Sequence, residues 1–258
     1  MSHAAASFNP LDLTGRTILV TGATSGLGRA AALYLSRLGA RILATGRDGA
    51  RLDGTLAALE GAGHRGEVFD FADLSGIESW MAALTADEGP LDGAVHFAGQ
   101  IAVAPVKALT AERVEAVIRI NLSSALLLAK AFRKKKAHTE NAGLVLVSSV
   151  AGLKGLKGQT LYSATKGGLI SAARCLAVEC APDGLRVNCL APGMVVTEGV
   201  EASNRSGDPG HMTMIEEAHP LGFGRPDDVS AAAAFLLADT GRWITGAVLA
   251  PDGGIGAT

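Results

Sequence analysis

The sequence predicts an α/β protein: one domain built on a doubly wound parallel sheet of about seven strands, with helices on both faces. Two observations predict it. Short, near-continuous apolar runs alternate along the chain with longer segments that suit helices. Such alternation means βαβ units, whose strands are buried on both sides. In addition, a glycine-rich turn joins the first strand to the first helix, where open parallel sheets bind ligands at the carboxyl ends of their strands.

The elements follow in order. Met1–Pro10 is expected to be a disordered lead, and residues 11–258 a single domain without linker or repeat. Thr17–Thr21 is a buried strand, followed by a helix to about Leu38. Arg41–Thr45 is a second strand and Asp48–Ala62 a second helix. Gly66–Phe69, Ser75–Asp87 and Gly93–Phe97 continue as strand, helix, strand. A long helix is expected over Thr110–Lys136, then a strand at Leu144–Ser148 and a helix carrying Tyr162 as far as Cys180. Arg186–Leu190 is the sixth strand. The polar stretch 195–224 breaks the rhythm. Pro226 opens a helix over Asp227–Ala238, since proline suits a first helical position, and Ala247–Ala250 is the last strand.

Composition narrows the class. The chain has 258 residues, 48% of them hydrophobic, which suits one domain of this kind. A net charge of −2 and 4% aromatics supply neither the basic surface nor the stacking platform of a nucleic-acid binder. Cys175, Cys180 and Cys189 are odd in number and lack metal-ligand spacing, so they read as buried apolar residues in a reducing compartment. Met1–Phe8 lacks a signal-peptide core, and no apolar run approaches a membrane span. A soluble cytoplasmic protein is expected, with no metal, nucleic-acid partner or membrane.

The first turn reads Gly22-Ala23-Thr24-Ser25-Gly26-Leu27-Gly28. Glycines there let backbone N–H groups approach a pyrophosphate seated at the positive end of the following helix. The second strand ends Thr45-Gly46-Arg47, with no carboxylate at its tip. An acidic residue there serves the ribose hydroxyls of NAD, whereas an arginine accommodates a 2′-phosphate. NADP(H) is therefore the expected cofactor, with NAD(H) left open. An ordinary surface role for Arg47, with Asp48 as helix N-cap, is the alternative.

Further on, the fifth strand ends on Ser148-Ser149, crosses a glycine-rich loop and enters the helix of Tyr162 and Lys166. Residues four apart share a helix face, so the ammonium would lie near the phenol and favour phenolate. Ser149 would approach a substrate oxygen from the other side. This is a candidate acid/base centre for a carbonyl or an alcohol. A solvated helix edge would show the same spacing.

Taken in order, these motifs resemble the classical short-chain dehydrogenase/reductase family from about Leu13 to Gly254. They are Thr21-Gly22-x-x-x-Gly26-x-Gly28, Asp70, Ala98-Gly99, Asn121, Ser149, Tyr162-x-x-x-Lys166, Pro192-Gly193 with Thr197, and Asp252-Gly253-Gly254. The resemblance implies a Rossmann-type fold and a homo-oligomer, tetramer or dimer. It implies Tyr162 as general acid in reduction, Ser149 orienting the carbonyl, and Lys166 lowering the Tyr162 pKa while holding the nicotinamide ribose. Asn121 would anchor a relay water. For the cofactor it implies contacts from Gly22, Thr24, Ser25, Gly26, Leu27, Gly28, Arg47, Asp70, Phe71, Ala98, Gly99, Tyr162, Lys166, Pro192, Gly193, Val195 and Thr197.

Departures stand out. His96-Phe97-Ala98-Gly99 replaces the family's Asn-Asn-Ala-Gly, removing an asparagine that braces neighbouring strands. Pro251 implies that the last strand ends or lies at an edge there. Lys154 and Lys157 border the expected substrate region, either for an anionic substrate or as solvated loop lysines. Residues 195–224 would form a substrate lid, in which Met212, Met214 and Ile215 line an apolar wall or anchor a surface helix. Interconversion of a ketone and a secondary alcohol with NADP(H) is the resulting expectation, 3-oxoacyl thioesters being among the substrates left open. The alternatives are an NAD-dependent sugar or alcohol dehydrogenase and a nucleotide-binding regulator without activity.

Overall fold

The computed structural model describes residues 8–198 and 209–257. Seven parallel strands form one sheet in the order β3-β2-β1-β4-β5-β6-β7. They are β1 Thr17–Thr21, β2 Arg41–Gly46, β3 Arg65–Val68, β4 Leu91–His96, β5 His138–Val147, β6 Arg186–Leu190 and β7 Val248–Leu249. The helices are α1 Gly26–Arg37, α2 Gly49–Leu56, α3 Ile77–Glu88, α4 Ala111–Ile118, α5 Ser124–Phe132, α6 Thr160–Cys180, α7 Pro209–Glu217 and α8 Pro226–Leu237. Strand order reverses between β1 and β4, which opens a crevice at their carboxyl ends.

Alternation along each strand builds two cores. Ile18, Val20, Ile42, Ala44, Val95, Val145 and Val147 face one side, with Ala32 and Leu35 of α1, Leu52 of α2 and Val229, Ala233 and Leu237 of α8. Leu19, Leu43, Ala94, Leu144 and Leu146 face the other, against Met81 of α3, Leu128 of α5 and Leu169 of α6. Side chains on a strand point alternately to its two faces, so both layers come from one pleat.

Several boundaries differ from expectation. The single helix expected over Thr110–Lys136 is two helices joined by a π turn, Arg119–Ser123, and α5 ends at Phe132. The Arg133 and Lys134 side chains beyond it pair with Asp183 and Glu78. The second helix stops at Leu56 rather than Ala62, short of Gly61 and Gly63, both of which adopt positive φ. β5 starts at His138 and includes Asn141 at φ 64, with its register against β4 broken between Leu91 and Gly93. β7 ends at Leu249, before Pro251, and forms the sheet edge. Cys180 and Cys189 are buried but Cys175 is exposed. Among the described residues no helix is long and apolar enough to cross a membrane. Of the expected lead, residues 1–7 lie outside the described residues, as do residues 199–208 of the expected lid.

Candidate active site

The turn after β1 is shaped by its glycines. Gly22 and Gly26 have φ of 68 and 53, which L side chains rarely adopt. A Cβ on Gly28 would lie 2.3 Å from the Gly22 carbonyl oxygen, and one on Gly22 would lie 3.0 Å from the Ala98 nitrogen. The turn therefore nests against α1 on one side and the tip of β4 on the other. Ser25 is the N-cap of α1 but makes no side-chain capping bond, and no acidic residue occupies the first turn. The Asp48 carboxylate and Thr110 hydroxyl cap α2 and α4. The start of α1 thus keeps free donors and its positive dipole end, which fits a pyrophosphate. A Cβ on Gly26 would just touch the Thr197 side chain, at 4.0 Å, so Thr197 lies beside the glycine turn.

At the tip of β2, a Cβ on Gly46 would lie 2.4 Å from the Thr24 side chain, which sets Arg47 beside the glycine turn. Arg47 is exposed. Asp48 accepts from the Arg51 backbone N–H at 3.0 Å and pairs with the Arg51 guanidinium at 2.7 Å, so its carboxylate is engaged away from Arg47. Asp70 is exposed and accepts from the Ala72 N–H at 2.9 Å. Phe71 is buried, its ring packed edge-on against Phe69, Trp80 and His96.

Ser149, Tyr162 and Lys166 converge where β5 meets α6. Gly152 makes this approach possible: a Cβ there would lie 2.8 Å from the Gly167 nitrogen. Ser148 turns inward and donates to the Lys166 carbonyl at 2.7 Å, which fixes α6 to the strand tip. The Lys166 ammonium donates to the Val147 carbonyl at 2.8 Å and lies 5.5 Å from the Tyr162 ring centroid. The Ser149 hydroxyl accepts from the Ala151 N–H at 3.2 Å and lies near enough to the phenol to influence its pKa. Asn121 sits buried in the π turn, accepting from the Gln100 N–H at 2.8 Å and donating to the Gln100 carbonyl at 2.9 Å. Thr165 is its third partner, at 3.3 Å. A Cβ on Gly99 would lie 3.1 Å from Asn121 Oδ1 and 3.8 Å from Lys166 Nζ, which seats Gly99 at the same centre.

One electrostatic expectation is corrected. Burial raises the Tyr162 phenol above its usual value, and only the nearby Ser149 hydroxyl opposes the rise. The lysine yields instead: burial lowers Lys166 to about 8. Its ammonium is engaged by the Val147 carbonyl, and desolvation disfavours charge on both groups.

The strap after β6 completes the crevice. Pro192 accepts from the Val150 N–H at 2.8 Å, and a Cβ on Gly193 would lie 2.7 Å from the Asp252 carbonyl oxygen. Val195 bridges Gly224 in parallel fashion. His219 joins this strap to α7: its ring donates to the Ile215 carbonyl at 2.6 Å and accepts from the Met194 N–H at 3.1 Å. Neither His219 nor Gln100 was singled out from the sequence. Gln100 acts through its backbone, which carries no residue-type signal, and His219 acts through two backbone partners that a lone histidine in a polar stretch does not reveal.

A family model described as Enoyl-(Acyl carrier protein) reductase matches residues 22–256. The chain belongs to the classical short-chain dehydrogenase/reductase family. It is an oxidoreductase acting between CH–OH and C=O. It is 33% identical over 245 residues to D-threitol dehydrogenase of Mycolicibacterium smegmatis, covering 94% of this chain and 93% of that one. It is 32% identical over 248 residues to the 3-oxoacyl-[acyl-carrier-protein] reductase FabG of Escherichia coli, covering 95% and 99%. Among solved structures, an actinorhodin polyketide ketoreductase variant with NADPH superposes with a TM-score of 0.84 at 26% identity, covering 94% and 98%. Short-chain dehydrogenase/reductase relatives thus include both polyol and acyl-ketone enzymes.

Proposed function

We propose that the protein is an NADP(H)-dependent reductase of ketones, with an apolar carbon skeleton such as a 3-oxoacyl chain next to the reacting carbonyl. The observation that carries the cofactor choice is the β2 tip: no carboxylate, an exposed Arg47 beside the glycine turn, and Asp48 engaged by Arg51. A guanidinium is the natural partner of a 2′-phosphate. Gly22, Gly26, Gly28 and the free donors of α1 would hold the pyrophosphate, and Thr197 and the strap around Val195 the nicotinamide end. The bound nicotinamide supplies or accepts the hydride.

The chain's own residues do the rest. A phenol raised by burial stays protonated at neutral pH, which suits Tyr162 as the acid that delivers a proton to the carbonyl oxygen. Ser149, whose hydroxyl lies near the phenol, orients that oxygen. Lys166 and Asn121 hold the proton path behind the phenol. On the substrate side, Ala102 and Ala104 turn inward while Ile101, Val103 and Val106 remain 72%, 57% and 66% exposed. Leu153 adds an exposed apolar group from the loop before α6. Of the two loop lysines, Lys154 donates to the Ile255 carbonyl at 2.8 Å, which supports a structural role, and Lys157 is exposed. This apolar rim favours an alkyl or acyl ketone over a polyol.

The test is affinity for the two reduced cofactors. One charge-assisted contact to the 2′-phosphate should make NADPH bind roughly 10- to 100-fold tighter than NADH, and Arg47→Ala should erase that margin while leaving NADH unchanged. Equal affinities in the unmodified protein would contradict the assignment.

A further inference from the structure

We propose that His96 is a positioning residue that ties the glycine-rich cofactor turn to the π turn of Asn121 through one directed chain of hydrogen bonds. The chain can be read donor by donor. The Ser124 hydroxyl donates to the Ile120 carbonyl at 2.6 Å, so its oxygen can only accept from His96 Nε2, 3.3 Å away. His96 therefore carries its proton on Nε2. Its Nδ1 is then an acceptor, and the Thr21 hydroxyl donates to it at 2.9 Å. The Thr21 oxygen in turn accepts from the Ala98 N–H at 3.1 Å. Every donor has an acceptor, from Ala98 through Thr21, His96 and Ser124 to Ile120.

The ends of this chain fall on the two halves of the site. Thr21 is the last residue of β1, and Ala98 is the wall against which Gly22 packs. Ile120 and Ser124 bracket Asn121 and the start of α5. The imidazole is 2% exposed, and its ring also meets Phe71 edge-on at the mouth of the sheet. Only the neutral imidazole fits. A proton on Nδ1 would occupy the lone pair to which the Thr21 O–H donates, and that buried hydroxyl would lose its acceptor. Burial and the nearby Lys166 charge agree, lowering His96 to about 3. Where family relatives carry asparagine, this chain thus uses a longer group that reaches both β1 and α5.

This inference rests on the crevice holding a dinucleotide, so its test has one arm that needs no cofactor. In uniformly 15N-labelled protein, with His96 assigned by comparison with a His96→Phe spectrum, His96 should appear as the Nε2–H tautomer and stay unchanged from pH 5 to 9. The Nδ1–H tautomer, or a protonation in that range, overturns the proposal. The kinetic arm separates the two ends. Thr21→Val should raise the NADPH Kd roughly 5- to 10-fold with kcat at saturating cofactor within about twofold. Ser124→Ala should do the reverse, lowering kcat roughly 5- to 10-fold while Kd stays within about twofold. A merely structural histidine would give lower Tm values with both constants unchanged, or equal losses in both, and either result overturns the proposal. If the protein binds no dinucleotide, the functional reading fails while the tautomer result still stands or falls on its own.

Discussion

Replacing Lys166 by methionine should stabilise the protein while abolishing its activity. Burial lowers the Lys166 pKa from 10.5 to about 8, so the fold carries an ammonium that it disfavours. Because its native value lies below its unfolded value, the unfolded chain binds more protons between pH 8 and 10.5. Stability then rises with pH through that window, and the penalty is complete below pH 8. The gap corresponds to about 3 kcal/mol at pH 7. Methionine fills the channel of the lysine stem without charge. It forfeits the bond to the Val147 carbonyl, which returns about 1 to 2 kcal/mol. The net gain at pH 7 is about 1 to 2 kcal/mol, or a Tm raised by roughly 2 to 8 °C for a chain of this size. Thermal and urea unfolding of both proteins without nucleotide, at matched concentration and at pH 7, 8.5 and 10, measures it. The margin should shrink as pH rises. A Met variant less stable at pH 7, or a margin that ignores pH, would refute the reasoning.

Two further substitutions test other parts of the site. Tyr162→Phe should lower turnover by about a thousandfold or more while NADPH Kd stays within a few-fold, since general acid catalysis contributes on that scale; steady-state kinetics beside fluorescence titration separate the two, and near-normal turnover would remove Tyr162 from its role. Gly28→Ala places a Cβ 2.3 Å from the Gly22 carbonyl oxygen, against rigid backbone. It should cost about 1 to 3 kcal/mol of stability in a denaturant melt and weaken dinucleotide binding in a titration.

Strand β1 matches its sequence-read limits because the apolar run Ile18-Leu19-Val20 lies between two threonines; β6 matches as well, although it carries Arg186 and Asn188. The candidate residues were equally legible wherever the chemistry needs a residue type: glycines at the turn, serine at a strand tip, tyrosine and lysine four apart. What escaped depends on tertiary contact. Nothing in the composition of Thr110–Lys136 breaks a helix; the π turn lies where Asn121 grips the Gln100 backbone and Ser124 meets His96. The first half of β5 was missed because Thr139, Glu140 and Asn141 are polar and lie at a register break. The direction of the Tyr162 shift differs from the sequence expectation for another reason. Spacing placed Tyr162 and Lys166 on one face, but the depth of burial, which decides the sign, is a property of the packed loop and helix.

The most direct test of the central claim is loss of reduced-cofactor absorbance with NADPH and NADH run side by side on alkyl ketones, 3-oxoacyl thioesters and keto-sugars. Faster turnover with NADPH on a ketone bearing an apolar chain is the predicted result. Faster turnover with NADH on keto-sugars, or tight nucleotide binding with no turnover on any of the three classes, would contradict it.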